Sequence, residues 1–174
     1  MKYAIAILLL LTACQPMADD LVLYTIDKGD HYCTPRHTQL TNSIEYMVYV
    51  DASWLHTELV PGWNKLIGIS DGLNHHRHSN RIAWRCIDGE SITFAQLVYQ
   101  RGEWTAYPFL TTYKPGRWVS VTVRNALTYY ARVGQEFSMK ERTGGGVQVV
   151  LYPYFGGQDE APHTMYFYFR SINN

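Results

Sequence analysis

The sequence predicts an all-β protein built as a two-sheet antiparallel sandwich. Three observations support this: apolar and polar residues alternate with a period of two, turn-forming residues separate the runs at short intervals, and helical spacing is hard to find. The chain also has fourteen tyrosines, six phenylalanines and five tryptophans, which suit pleated surfaces. Together these features indicate one domain with roughly ten strands.

The alternation is clearest in three segments, whose apolar residues we expect to face the core. These are Ile44, Tyr46, Val48 and Val50; Val119, Val121 and Val123; and Met165, Phe167 and Phe169. Turn residues lie between such runs, including Asp88-Gly89 and Lys114-Pro115-Gly116, because glycine permits the positive φ of tight turns. At most one helical turn is expected, within residues 35–42. Trp84 and Trp118 are assigned to packing, and Trp104 is expected to be partly exposed.

The first fourteen residues have the order of a secretory signal. Lys2 precedes an apolar run over residues 4–11, and Leu11-Thr12-Ala13-Cys14 closes it. The run is too short for a bilayer core, which needs about 20 apolar residues. The four closing residues resemble the lipobox of bacterial lipoproteins, and this resemblance implies that Cys14 is acylated. An ordinary signal peptide, or a buried strand with an incidental cysteine, is the alternative.

The lipobox resemblance also implies a division of the chain. Residues 1–13 are the signal peptide, 14–20 a lipidated tether and 21–174 the β-sandwich domain. Acyl chains on Cys14 make the lipid bilayer a partner, since each buried methylene contributes about 0.8 kcal/mol. The protein is then exported and anchored in the bacterial cell envelope. Residue 15 is Gln rather than Asp, and in a bacterium with two membranes the sorting habit of lipoproteins then favours the outer membrane.

Charge and cysteine content narrow the partners further. The 15 basic and 15 acidic residues balance, which gives no electrostatic footprint for nucleic acid. If Cys14 is acylated, Cys33 and Cys86 remain as an even pair in an exported chain. Such a pair favours a disulfide, although two buried thiols that never meet are the open alternative.

Two polar segments, residues 71–81 and 152–163, hold the candidate ligand-binding side chains. These are Asp71, Asn74, His75, His76, Arg81, Tyr154, Asp159 and His163. Saccharides stack the C–H faces of their rings on aromatic side chains, while planar polar groups bind their hydroxyls. Solvated loop residues and hydrogen bonds that fix loop ends are the alternative interpretation.

The same segments contain the candidate metal ligands His76, His78 and His163. Two histidines at alternate positions of an extended loop point the same way and could share one ion. No spacing here has the specificity of a His-Glu-x-x-His helix, so structural hydrogen bonding is the favoured interpretation. No metal and no cofactor is predicted.

Several stretches resemble a set of exported bacterial proteins with a concanavalin A-like jelly-roll sandwich. They are Gly68-Ile69-Ser70-Asp71, His75-His76, Ser79, Arg81, Trp84-Arg85, Leu151-Tyr152-Pro153-Tyr154-Phe155-Gly156-Gly157 and Ala161-Pro162-His163. The resemblance implies the jelly-roll fold. It implies no single activity, because lectins, glycosidases, lyases and adhesion modules all use this sandwich.

The chain departs from the enzymes of this fold. Laminarinase-like glycosidases carry Glu-x-Asp-x-x-Glu on one strand, and no such string occurs here. Alginate lyase-like sandwiches carry Gln-Ile-His, and the nearest match is Gln96-Leu97-Val98. We therefore expect a membrane-anchored lipoprotein that binds carbohydrate through residues 71–81 and 152–163. A polysaccharide-degrading enzyme of the same fold and a structural envelope lipoprotein without a small ligand are the alternatives.

Overall fold

The structure is a computed structural model that describes residues 21–57 and 62–172. Eleven strands lie within these ranges, with a short 3-10 turn at Ala52–Trp54. The strands are β1 (Leu21–Ile26), β2 (Ser43–Val50), β3 (Asn64–Asp71), β4 (His78–Cys86), β5 (Ile92–Gln100), β6 (Glu103–Tyr113), β7 (Arg117–Asn125), β8 (Thr128–Val133), β9 (Glu136–Glu141), β10 (Gln148–Leu151) and β11 (Met165–Ser171).

The strands form two antiparallel sheets that pack face to face. The six-stranded sheet has the order β1-β11-β2-β7-β8-β9, and the five-stranded sheet has the order β10-β3-β4-β5-β6. The all-β antiparallel sandwich expected from the sequence is confirmed, and its architecture is jelly-roll-like. The strands β3 to β6 follow one another as a meander, because short turns such as Asp88-Gly89 connect neighbours.

The core lies between the sheets and uses the alternating residues that the sequence indicated. Ile44, Val48 and Val50 of β2 are buried, as are the three valines of β7 and the three apolar residues of β11. Trp54 and Trp84 stack at its centre, with ring centroids 5.2 Å apart. Each such fully buried aromatic side chain stabilises the fold by about 1.5–3 kcal/mol.

The remaining tryptophan assignments agree with the structure. Trp118 packs on the outer face of the six-stranded sheet, 5.4 Å from the ring of Tyr49 and beneath the Arg170 guanidinium at 4.8 Å. Trp104 is 55% exposed. The expected helical turn within residues 35–42 is wrong: Leu40 makes a β-bridge to Val149 instead, because this segment lies along the open edge of β10.

A seam of buried amides joins the two sheets. Asn80 of β4 donates to Asn125 Oδ1 at 3.1 Å and to the Tyr130 carbonyl at 2.9 Å. Gln96 of β5 in turn donates to Asn80 Oδ1 at 2.9 Å. Buried amides are costly unless they are hydrogen-bonded, so this chain of bonds fixes how the sheets face each other.

The predicted disulfide is absent from the structure. Cys33 and Cys86 are both free thiols. Cys33 is buried in the core, and Cys86 ends β4 at a half-buried position. Burial raises the pKa of the Cys33 thiol to about 12, which disfavours the nucleophilic thiolate at neutral pH.

The lipobox and tether, residues 1–20, lie outside the described residues, and lipidation of Cys14 remains a prediction. Within the described ranges, no helix has the length and apolar character needed to cross a bilayer.

Candidate binding site

The outer face of the five-stranded sheet carries a cavity of about 310 Å³. Its floor is formed by β3 and β4, which contribute Lys65 and Arg81. Tyr99 of β5 and the β3–β4 loop form one side, and the segment around Tyr154 forms the other. A concave site of this size lies at the lower end of the range for small-ligand pockets.

The Tyr154 side of the cavity is held by main-chain hydrogen bonds to β3. The Lys65 N–H donates to the Tyr154 carbonyl at 2.8 Å, and the Tyr154 N–H donates back to Lys65 at 2.9 Å. Tyr32 makes a further β-bridge to Tyr154, and their rings meet edge to face with centroids 5.0 Å apart. The two tyrosine side chains are therefore positioned by the backbone.

The opposite side depends on the loop between β3 and β4. Asn74 accepts the His76 N–H at 3.1 Å through its side-chain oxygen, which closes an Asx turn. The rings of His75 and His76 lie 4.1 Å apart, and His76 meets Tyr99 edge to face at 5.3 Å. Asn74 thus shapes the loop, while the two imidazoles and Tyr99 line the cavity.

The Arg81 side chain passes close to Gly68, which is directly opposite it on β3. A Cβ atom at Gly68 would sit 2.5 Å from Arg81 Cγ and 2.5 Å from the Asn80 carbonyl oxygen. The glycine is therefore required by the close approach of the arginine side chain. Arg81 is only 5% exposed, and its Nε has no hydrogen-bond partner.

The electrostatic potential of the cavity is positive. Burial and then the neighbouring charge of Arg81 lower the pKa of Lys65 to about 8. Burial lowers the pKa of Arg81 to about 10, which leaves it charged at pH 7. Burial, followed by the charges of Arg81, His76 and Lys65, lowers the pKa of His75 to about 4. His75 is therefore a neutral imidazole at pH 7.

Four of the eight sequence-predicted ligand residues meet in this cavity: His75, His76, Arg81 and Tyr154. The other four lie outside its lining. Asn74 serves the loop turn described above, and Asp159 is exposed. The His163 imidazole bonds to the Ser53 carbonyl at 2.7 Å, which ties the start of β11 to the 3-10 turn.

Asp71 was expected to bind ligand as part of the polar segment 71–81, but it lies outside the cavity lining. Its carboxylate faces the interior, where Arg142 binds both oxygens at 2.9 and 3.0 Å. The Tyr129 hydroxyl donates to it at 2.7 Å, and Asn125 donates at 3.2 Å. These contacts satisfy the carboxylate within the protein, so Asp71 is a structural residue.

The candidate metal ligands show no common site. Among residues 21–57 and 62–172, no group of three or more His, Cys, Asp or Glu side chains is placed to hold an ion. His76 lines the cavity, His78 begins β4, and His163 is bonded to Ser53.

Four further residues line the cavity that were not predicted from the sequence: Lys65, Tyr99, Tyr32 and Arg36. One signal for Lys65 was available, since it is the single charged residue in the apolar run of β3 before Asp71. A lone cation in a buried strand indicates a polar environment on one face. Tyr32 and Arg36 have no comparable local signal, because they reach the cavity only through long-range pairing.

Comparison of the chain with protein-family models and with curated proteins found no match. The proposed function is therefore based on the shape of the cavity and on the residues that line it.

Proposed function

We propose that this protein is an exported lipoprotein, anchored through acylated Cys14, whose β-sandwich binds a saccharide in the cavity on the five-stranded sheet. The observation that carries the proposal is the combination of a concave site with four tyrosines, Tyr32, Tyr99, Tyr152 and Tyr154, around polar side chains. Tyrosine rings offer flat apolar faces and a hydroxyl at low cost in conformational entropy. Sugars need both, since their rings have C–H faces and hydroxyl edges.

Binding is favoured over hydrolysis by the residues that line the cavity. Glycoside hydrolysis ordinarily uses two carboxylic acids placed on either side of the scissile bond. None of the described residues lining the cavity is Asp or Glu. The lining instead provides hydrogen-bond donors and aromatic rings, which hold a sugar without cleaving it.

Calorimetric titration of the full chain in detergent with a panel of neutral and acidic oligosaccharides tests saccharide binding. We expect at least one saccharide to bind, and Tyr99→Ala to weaken it about tenfold, because a lost aromatic contact of about 1.4 kcal/mol changes affinity by that factor. Tyr166→Ala is the matched control, since Tyr166 is 40% exposed on β11 of the other sheet. Absence of binding across the panel, or equal loss in both variants, would contradict the proposal.

Membrane anchoring is tested separately by mass spectrometry of the protein from its native membrane and by fractionation of Cys14→Ser. We expect acyl chains on Cys14 and release of the variant from the membrane fraction, because serine at position 14 removes the thiol that carries the proposed acyl anchor. An unmodified Cys14 thiol in the membrane-bound protein would overturn this part.

A further inference from the structure

We propose that the cavity selects saccharides that carry an oxyanion, which pairs with Arg81 and Lys65. This inference rests on the saccharide-binding function proposed above and specifies the class of sugar. Uronates, with a carboxylate on the ring, are the simplest members of this class, and sulfated and phosphorylated sugars share the chemistry.

The cavity concentrates positive charge. Three cationic side chains line the cavity, Lys65, Arg81 and Arg36, and the described lining contains no carboxylate. None of the ion pairs found in the described parts of the chain includes any of the three. The whole chain has a formal net charge of zero, so this is a local concentration of positive charge rather than a general property of the surface.

Arg81 is buried without a compensating negative charge from the described residues. A guanidinium withdrawn from water is unfavourable unless hydrogen bonds and an opposite charge compensate it. Arg81 is 5% exposed, its Nε has no partner, and its charged neighbour on β3, Lys65, is also a cation. An oxyanion in the cavity supplies the missing compensation.

Lys65 lies beside Arg81 and places a second cation in the cavity. The Lys65 ammonium donates to the Gly156 carbonyl at 2.6 Å and lies 5.2 Å from the centre of the Tyr154 ring. An ammonium has three donors, so the Gly156 bond leaves capacity for a ligand. Two adjacent cations, one planar and one compact, suit a group whose charge is spread over two or three oxygens.

The aromatic rings make a sugar a better occupant than a free inorganic anion. Tyr99 and Tyr154 flank the two cations from opposite sides, and an inorganic ion would leave these ring faces unused. A sugar ring that carries a carboxylate places its C–H face on a tyrosine while its charge reaches Arg81.

The matched ligands for the test are trimeric uronates, among them galacturonate, glucuronate and mannuronate, and their methyl esters, which keep the ring and remove the charge. Calorimetric titration of the full chain should show at least one uronate bound and its ester bound about tenfold more weakly or not at all, since charge-assisted hydrogen bonds are roughly twice as strong as neutral ones. Arg81→Met should abolish that preference.

Arg85→Met is the control for Arg81→Met, since Arg85 lies on the same strand and face but stacks on Trp63 at 4.4 Å outside the cavity lining. Lys65→Met is the second variant should Arg81→Met fail to fold, and it should also reduce the preference for the uronate. Thermal unfolding of each variant without ligand verifies folding.

The outcomes separate the two proposals. Equal affinity for a uronate and its ester would overturn the oxyanion inference and leave saccharide binding standing. Equal stabilisation by acetate, sulfate or phosphate and by the uronates would overturn the assignment of a sugar, and with it the proposed function. Binding of no saccharide and no anion would overturn both, whereas loss of uronate preference in Arg81→Met but not in Arg85→Met supports both.

Discussion

The region around Arg142 and the cavity around Arg81 each contain an arginine largely withdrawn from solvent, but the two arginines differ in whether a carboxylate pairs with them. Arg142, whose side chain is 15% exposed, binds both oxygens of the fully buried Asp71. Arg81 is buried as deeply, but no carboxylate in the described parts of the chain pairs with it. The sandwich therefore neutralises Arg142 with an internal carboxylate, whereas the described residues supply no carboxylate to Arg81.

This difference separates a structural polar site from a binding site. The donors around Asp71 come from β7, β8 and the segment after β9, so the network joins distant parts of the fold. The groups around Arg81 face an open cavity. Removing Arg142 from the first site should lower the free energy of unfolding. Removing the charge of Arg81 from the second site should leave the free energy of unfolding unchanged or raise it.

The largest effect is expected for Arg142→Met. The substitution leaves the Asp71 carboxylate buried without its counter-charge, and breaking a buried pair costs about 3–5 kcal/mol of unfolding free energy. Urea denaturation measures this loss. Lys114→Met is the control, because its ion pair with Glu90 has side chains 73% and 76% exposed and should change stability by less than about 1 kcal/mol. Equal losses in the two variants would contradict the comparison.

Gly68→Ala should have the next largest effect. Its methyl group would meet Arg81 Cγ and the Asn80 carbonyl oxygen, each at 2.5 Å, so the arginine or the strand must shift. Such overpacking typically costs about 1–3 kcal/mol, and uronate affinity should fall with it. Gly145→Ala has open space around its Cβ and serves as the control; unchanged stability and affinity in Gly68→Ala would show that Arg81 does not need the glycine.

Arg81→Met should change stability little or raise it, in contrast to Arg142→Met. Replacing an uncompensated buried charge with an apolar side chain of similar length is often neutral or stabilising, by up to about 1–4 kcal/mol. Urea denaturation of the ligand-free protein gives the value. A loss as large as that of Arg142→Met would mean that Arg81 has a structural partner, and the contrast between the two regions would disappear.

The smallest effect near neutral pH is a pH dependence that originates at His75. The pKa of His75 in the folded protein, about 4, lies below its ordinary value of 6.5, so the unfolded chain binds the proton more readily. This group therefore contributes stability above pH 6.5 that is lost as the pH falls from 6.5 towards 4. The melting temperature of the wild type should fall more steeply over this window than that of His75→Gln. Identical slopes would show that the cavity does not suppress protonation.

The fold could be predicted from the sequence because its signal is local. The alternation of Val119, Val121 and Val123 with polar residues does not depend on the position of the strand in the sheet. The turn residues also divide the chain into strands independently of the strand order. The site was predictable only in part. His75, His76 and Arg81 lie close together in sequence, so a polar loop identified them.

The remaining residues depend on the pleat and on long-range pairing. Asp71 follows Ser70 by one residue, and this change of parity turns its side chain from the outer face to the interior. Tyr154 joins Lys65 through a pairing between residues that are far apart in sequence. Local composition does not reveal which face of the sheet the last side chain of a strand points to. It also does not reveal which distant residues pair.

Arg81, unlike Arg142, is open to a ligand, and the 15N–1H signals of the arginine Nε groups test this difference within one spectrum. The Arg81 signal can be assigned from its absence in Arg81→Met. On titration with a trimeric uronate bound by the full chain, we expect the Arg81 signal to shift to saturation while that of Arg142 stays in place. An Arg81 signal that remains still at saturating ligand, or an Arg142 signal that moves as far, would contradict it.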